Sequence, residues 1–453
     1  MTSFRRRRAL AAFAGFTVAA LALSACASSS DTSTGSDGSS SGDQGSSSEP
    51  IELSVLVDNT ENSINTVEGL GQAFTAQNPN ITINVETRPG GGEGDNIVKT
   101  RLATGEMTDL FWYNSGSLLQ ALNPTETLVD LSDQPFMDRV NSAFVAGVSA
   151  GDGVYGAPTQ TAMGGGILYN KSIYEELGLE IPLTWDEFMA NNAAIDAAGY
   201  DPVIQTYGDT WTSQLLVLAD YHNVEQQSPG WADSFTANEA KFADTPAAKQ
   251  GFERLEELNE AGYFNSDAAT ITFGEGLAKL ALGEGAHYPM LTFAVADLSA
   301  IEGADIEDIG FFAQPGDSAE TNGLTVWLAA ALYVPQTTEG ERRDAAMAFL
   351  DFVVSAEGCD AVTAAVGQQG PYFVDTCTSI DESLSSPIRD MFPYFEREGA
   401  TTPALEFLSP VKGPALEQIT VATGTGQYSA DEAAALYDED VEKQAQQLGL
   451  EGW

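Results

Sequence analysis

Apolar positions recur along this chain with two periods, and the periods alternate in order. Ile51, Leu53, Val55 and Val57 alternate with polar neighbours, the period of a half-buried strand. A polar loop over 58–62 follows. Ile64, Val67, Leu70 and Phe74 then recur at helical spacing, with Asn62 or Ser63 placed to cap, and Asn78-Pro79-Asn80 ends the run. Ile81, Ile83 and Val85 alternate again. Asp95 caps a helix running to Thr104, which Gly105 ends, and Leu110 to Tyr113 form an uncharged buried strand. The order βαβαβ predicts a parallel α/β sheet.

A second α/β set begins after Gly164-Gly165-Gly166. Three glycines before a strand suit a crossover between two lobes, where backbone torsions must change. Thr184 with Glu187 three residues on is a strong helix start. Strands are expected at 203–206, 287–293, 309–312 and 324–334. Helices are expected at 213–221, 245–262, 272–283, 342–354, 384–392 and 429–448.

The stretch 109–117, Asp-Leu-Phe-Trp-Tyr-Asn-Ser-Gly-Ser, changes character at its end. A buried strand ends in aromatic rings and passes into amide, hydroxyl and glycine. A binding site at a strand's carboxyl end needs those groups: rings as an apolar floor, polar groups for orientation, glycine for close approach. The alternative is a core strand entering a turn.

The N-terminus reads as an export address. Arginines fill 5–8, an apolar run follows from Ala9 to Leu23, and Leu23-Ser24-Ala25-Cys26 closes it. This looks like a bacterial lipobox, in which residues 1–25 are a lipoprotein signal peptide and Cys26 is acylated; the alternative is a secretory signal with an unrelated cysteine. Acyl chains on Cys26 would hold the chain at the outer face of the cytoplasmic membrane. Residues 27–50 are serine, glycine, aspartate and threonine with almost nothing apolar, a tether with an end-to-end distance of roughly 27 Å. The remainder is long enough for two lobes with their own cores.

The chain carries 19 Lys and Arg against 66 Asp and Glu, a net charge of −47. Such a surface repels nucleic acid and anionic headgroups, so no nucleic-acid partner is expected. Cys359 and Cys377 lie 18 residues apart in an exported chain, where a disulfide is the default and two buried thiols the alternative.

Enzyme motifs are weak. Gly147-Val148-Ser149-Ala150-Gly151 matches Gly-x-Ser-x-Gly but lacks the strand-turn-helix setting of a nucleophile elbow. His222 and His287 have no metal-ligand spacing, and no phosphate loop is present, so no cofactor, metal or catalytic residue is expected.

Six segments carry a resemblance. They are Asn-Pro-Asn-Ile at 78–81, Thr-Gly-Glu-Met-Thr-Asp-Leu-Phe-Trp at 104–112, Gly-Gly-Gly-Ile-Leu-Tyr-Asn-Lys at 164–171, Pro-Leu-Thr-Trp-Asp-Glu-Phe at 182–188, Glu-Ala-Gly-Tyr-Phe-Asn at 260–265 and Ala-Met-Ala-Phe-Leu-Asp-Phe at 346–352. In this order they resemble the family 1 extracellular solute-binding proteins, lipoprotein receptors of carbohydrate ATP-binding-cassette importers. The resemblance implies an α/β, two-lobe periplasmic-binding-protein-like (type II) fold with an interlobe ligand cleft. Crossings would fall near 163–167, 311–314 and 355–359, giving one lobe of 51–163 plus 314–355 and another of 167–310 plus 356–453.

It also implies a monomer whose partners are a carbohydrate and importer permease subunits. Sugars present hydroxyls at their edges and C–H groups on their faces, so acids, amides and rings are the candidates. By the resemblance these are Asp58 and Glu61 after the first strand, Trp112, Asn114 and Ser115, then Asp209 and Trp211. Leu291-Thr292-Phe293 stands where relatives usually have Gly-Ser-Trp, which makes Phe293 a candidate, and Trp327 and Tyr372 lie near the later crossings. A surface-anchored glycoside hydrolase or esterase, and an adhesion or sensory lipoprotein on the same fold, are the competing readings.

Overall fold

The computed structural model describes residues 49–377 and 383–453; the expected signal peptide, Cys26 and nearly all of the tether lie outside the described residues. The strands, in chain order, are β1 (Ile51–Asp58), β2 (Ile81–Arg88), β3 (Leu110–Tyr113), β4 (Ser149–Ala150), β5 (Gly153–Val154), β6 (Gly156–Pro158), β7 (Met163–Asn170), β8 (Asp201–Val203), β9 (Gly285–Leu291), β10 (Ile309–Ala313), β11 (Leu324–Trp327), β12 (Ala331–Tyr333) and β13 (Thr401–Pro403).

They build two sheets, each with its own helices. The first runs β2-β1-β3-β12-β6. Its β1 is parallel to β2 and β3, as the βαβαβ order requires, while β12 enters antiparallel between β3 and β6. The second runs β13-β11-β7-β9-β8, with β10 also paired to β7. β4 and β5 form a separate small hairpin.

The apolar positions explain the layers. Helix Glu61–Gln77 buries Val67, Leu70 and Phe74, and the Phe74 ring meets Phe349 of helix Gly340–Val353 edge-on at 5.2 Å. Its cap is Thr60, whose side chain accepts the Ser63 N–H, rather than Asn62 or Ser63. Helix Gly91–Thr104 likewise starts before Asp95. Asp109 anchors β3 to helix Gly340–Val353: Arg342 donates Nε to Oδ1 at 2.6 Å and Nη2 to Oδ2 at 2.5 Å. Cys359 and Cys377 are bonded, with Cα atoms 6.2 Å apart.

Two sequence expectations change. The three glycines are not a crossover. They lie within β7, hydrogen-bonded to β9, β10 and β11. Their lack of side chains serves packing instead: a Cβ on Gly165 would sit 2.1 Å from Cζ3 of Trp327. The run 324–334 is also not one strand. β11 pairs with β7 in the second sheet and β12 with β3 in the first, so the chain crosses at 328–330.

The lobe limits move with that crossing. β10 and β11 both pair with β7, so no crossing occurs near 311–314. Helix Ala356–Val366 packs on helix Glu61–Gln77, so 356–366 stays with the first sheet instead of leaving it near 355–359. Local pattern identifies a strand but not the sheet it joins, because an apolar run is equally at home in either.

Candidate functional site

Between the two sheets lies a cleft of 1430 Å³. On the first-sheet side, the chain leaving β1 turns sharply into helix Glu61–Gln77. Asp58 shapes that turn: its Oδ1 accepts Thr60 N–H at 3.0 Å and Thr60 Oγ1 at 2.6 Å, and its Oδ2 accepts Ser63 Oγ at 2.8 Å. Asp58 and Glu61 both line the cleft. So do Trp112, Asn114 and Ser115 at the end of β3. Ser115 donates to Ala329 O at 3.0 Å, and Asn114 is exposed while its carbonyl accepts the Tyr333 hydroxyl at 3.1 Å.

Trp112 is only 4 % exposed and belongs largely to the core. Trp327 lines the cleft at 5 % exposure. Its Nε1 donates to Glu406 Oε1 at 2.6 Å, and Lys412 Nζ donates to the other Glu406 oxygen at 3.2 Å.

The second-sheet side supplies a wall of rings. Trp211 lies 5.2 Å from Phe273 and 6.0 Å from Phe293, and Phe273 lies 5.9 Å from Phe293, all measured between ring centroids. Trp211 and Phe293 are half-buried, which leaves ring surface facing the cleft. Asp209 braces the wall by accepting the Phe273 N–H at 2.7 Å, and Thr210 donates to Glu417 Oε2 at 2.7 Å.

Nine of the ten binding residues expected from the sequence therefore line one cleft, and Tyr372 does not. Its hydroxyl is engaged by Thr363 and the Cys359 carbonyl beside the disulfide.

Sequence reading missed Phe273, although it is the first residue of a helix whose capping box, Thr272 with Glu275, is plain in the sequence. It also missed Glu406, Lys412 and Glu417, from a stretch with no periodic signal, and Asp297. Asp297 is 8 % exposed, and its Oδ1 accepts the Glu61 N–H at 3.0 Å. Burial pushes its carboxyl up to about 7; the Glu61 and Asn62 N–H groups oppose this and the nearby Asp58 and Glu61 charges add to it. Burial also raises the Asp95 carboxyl, against the pull of Arg88 and Lys99.

Along the lining, carboxyl groups outnumber the cations Arg88, Lys99 and Lys412. Acids and amides opposite a ring wall can accept hydroxyl protons at a ligand's edge while rings cover its apolar face. Among the described residues no cluster of three or more His, Cys, Asp or Glu is placed to hold a metal ion, and no helix is long and apolar enough to cross a membrane. The histidines are structural. His287 pairs with Tyr174 at 2.6 Å and Asn192 at 2.9 Å, and burial pushes it down to about 3. His222 pairs with Thr402 at 2.8 Å.

Two α/β lobes around a ligand-sized cleft define a solute-binding architecture. A family model described as bacterial extracellular solute-binding protein matches residues 59–358, and the chain belongs to that family. It is 25 % identical over 270 residues to the multiple sugar-binding protein of Streptococcus mutans, an alignment covering 58 % of this chain and 61 % of that protein. Among solved structures, a chitin oligosaccharide binding protein superposes with a TM-score of 0.73 at 18 % identity, covering 87 % of this chain and 99 % of that one. The solute-binding protein RafE in complex with raffinose gives 0.71 at 21 % identity, covering 86 % and 99 %. At these identities the structures establish the fold.

Proposed function

We propose that this chain is an exported, lipid-anchored receptor that binds a sugar between its lobes and presents it to an ATP-binding-cassette importer. The observation that carries the reading is the cleft itself. The wall of half-buried Trp211 and Phe293, backed by buried Phe273, faces the acid and amide groups of 58–62 and 112–115 across a space large enough for an oligosaccharide. Membership of a solute-binding family, and relatives described as sugar-binding, support the same class.

In this reading Asp58, Glu61, Asn114, Ser115 and Asp209 hold hydroxyls. Trp211 and Phe293 cover a sugar face, while Trp112 and Trp327 support the floor from beneath. The lobes are about 51–158 with 331–377, and 163–327 with 386–453. Ligand favours the closed arrangement because only there can it touch both lobes. The protein acts as a monomer and performs no chemistry on its ligand. Acyl chains on Cys26 hold it at the outer face of the membrane.

A thermal-shift screen over mono-, di- and oligosaccharides tests the reading, since a ligand of the folded state raises the midpoint by mass action. A rise for one sugar family is expected. No shift with any sugar, or release of shorter products, would overturn it. Cys26→Ser is expected to move the chain from the membrane to the soluble fraction; retention on membranes would remove the lipid anchor.

A further inference from the structure

The two halves touch at points far apart in sequence. At one, a Cβ on Gly91, at the start of helix Gly91–Thr104, would lie 3.2 Å from the Trp211 Cβ and 3.3 Å from the Glu417 carboxylate. At the other, Asp297 of helix Ala294–Ser299 meets the first turn of helix Glu61–Gln77. The second contact is chemically unusual. Thr60 already caps that helix, yet the Glu61 N–H is satisfied from the opposite half, by Asp297 Oδ1 at 3.0 Å. The other carboxyl oxygen, Oδ2, is buried and makes no well-formed hydrogen bond, the Asn62 N–H alone lending the carboxyl some further support. Asp58 and Glu61 face this carboxyl from the first half. Nothing on its own half neutralises it. Lys279 of the neighbouring helix Phe273–Ala281 is committed to Asp201 and Asp267, and Glu275 to Thr272. In the adjoining turn Ile306–Asp308, Glu307 pairs with Arg389 and Asp308 is exposed.

We infer that Asp297 is the positioning residue that sets how readily the two halves close, by carrying its carboxyl onto the N-terminus of helix Glu61–Gln77 across the cleft. A buried carboxylate with one oxygen unpaired and two like charges facing it opposes closure, whereas a neutral carboxyl still accepts the Glu61 N–H through its carbonyl oxygen. Opening returns the group to water and removes the conflict. Closing therefore takes up a proton. If the group returns to the ordinary 3.8 when open and stands at about 7 when closed, the open–closed balance moves by up to about a thousandfold between pH 8 and pH 4. The inference rests on the closing-cleft reading above, but its test needs no sugar, so the two fail separately.

The experiment is small-angle scattering of the ligand-free chain between pH 5 and 8, for wild type, Asp297→Asn and Asp297→Ala, each beside a thermal melt. Wild type should become more compact as pH falls. Asp297→Asn, which keeps an acceptor without a charge, should be compact and flat with pH. Asp297→Ala, with no acceptor, should be expanded and flat with pH. A pH response shared by wild type and Asp297→Asn, or none in either, overturns the inference. So does a lowered melting temperature in Asp297→Ala with scattering identical to wild type, which would leave Asp297 a structural cap only. Should Asp297→Ala fail to fold, the contrast between wild type and Asp297→Asn decides alone.

Discussion

Trp211→Ala and Trp112→Ala separate a ring that serves the ligand from a ring that serves the core. Trp211 is half-buried on the cleft wall, with Phe273 at 5.2 Å and Phe293 at 6.0 Å. Removing it takes away a stacked face worth about 0.5–1.5 kcal/mol beyond its area, plus burial against the ligand of about 1.5–3 kcal/mol. At about 1.4 kcal/mol per decade, affinity should fall by roughly one to three decades. Trp112 is 4 % exposed, and its carbonyl accepts a long bond from Arg88 at 3.5 Å. Its loss leaves a cavity among packed side chains and should cost about 3–5 kcal/mol of stability. Calorimetric titration with the sugar that most raises the melting midpoint, beside denaturant curves for both variants, reads the two effects separately. Unchanged affinity in Trp211→Ala would remove that ring from the site. Normal stability with lost affinity in Trp112→Ala would put the Trp112 ring in the cleft instead of the core.

Other consequences can be measured directly. Gly165→Ala puts a methyl 2.1 Å from the Trp327 ring, which Glu406 holds by its indole N–H, so overpacking should cost about 1–3 kcal/mol and disturb the cleft floor; a wild-type melt and affinity would show that the ring yields freely. The Cys359–Cys377 bridge closes an 18-residue separation and should contribute about 3 kcal/mol in the chain-entropy model. Replacing both cysteines with serine should lower the midpoint, and thiol labelling of unreduced wild type should find neither residue; labelling of both would remove the bridge. For Asp297, raised from 3.8 to about 7, the folded form holds its proton more tightly than the unfolded chain. The associated stability is complete below about pH 4 and is lost as pH rises through about 7, a change of at most about 4 kcal/mol that shrinks to the extent that opening relieves the charge. Asp297→Asn should thus exceed wild type in denaturant stability at pH 8 and match it near pH 4; an equal difference at both pH values would refute the charge argument.

Much of the architecture was legible because it is written locally. The helical spacing of Ile64, Val67, Leu70 and Phe74 marks the face its helix buries, and the alternation of 51–57 marks a strand, although β1 buries Leu56 on its other face as well. Thr184 with Glu187 marked its helix start because a capping box satisfies two backbone donors within four residues. What stayed hidden was membership. Leu324 to Val334 read as one strand because every residue in it is buried, and burial does not say in which sheet. Gly164 to Gly166 read as a hinge because glycine permits unusual torsions. Here it is absent bulk that matters, against a Trp327 ring that lies 162 residues on from Gly165.

The site divides along the same line. Residues at the carboxyl ends of strands, such as Asp58 and Trp112, line the cleft because the carboxyl ends of parallel strands gather there. Their roles were harder to read than their places. Asp58 spends both oxygens on its own turn, so part of its acid character builds the loop that borders the ligand. Asp297 is the converse case. Nothing in Ala294 to Ser299 distinguishes it from an ordinary helical aspartate. Its carboxyl is buried, accepts the Glu61 N–H and faces two like charges, all from residues of the other half that stand far away in sequence. A property made by a contact between two distant segments leaves no periodic trace in the sequence. The cost of holding a buried carboxyl with one oxygen unpaired is set by the groups packed around it, here contributed by the first turn of helix Glu61–Gln77, and not by its own helix.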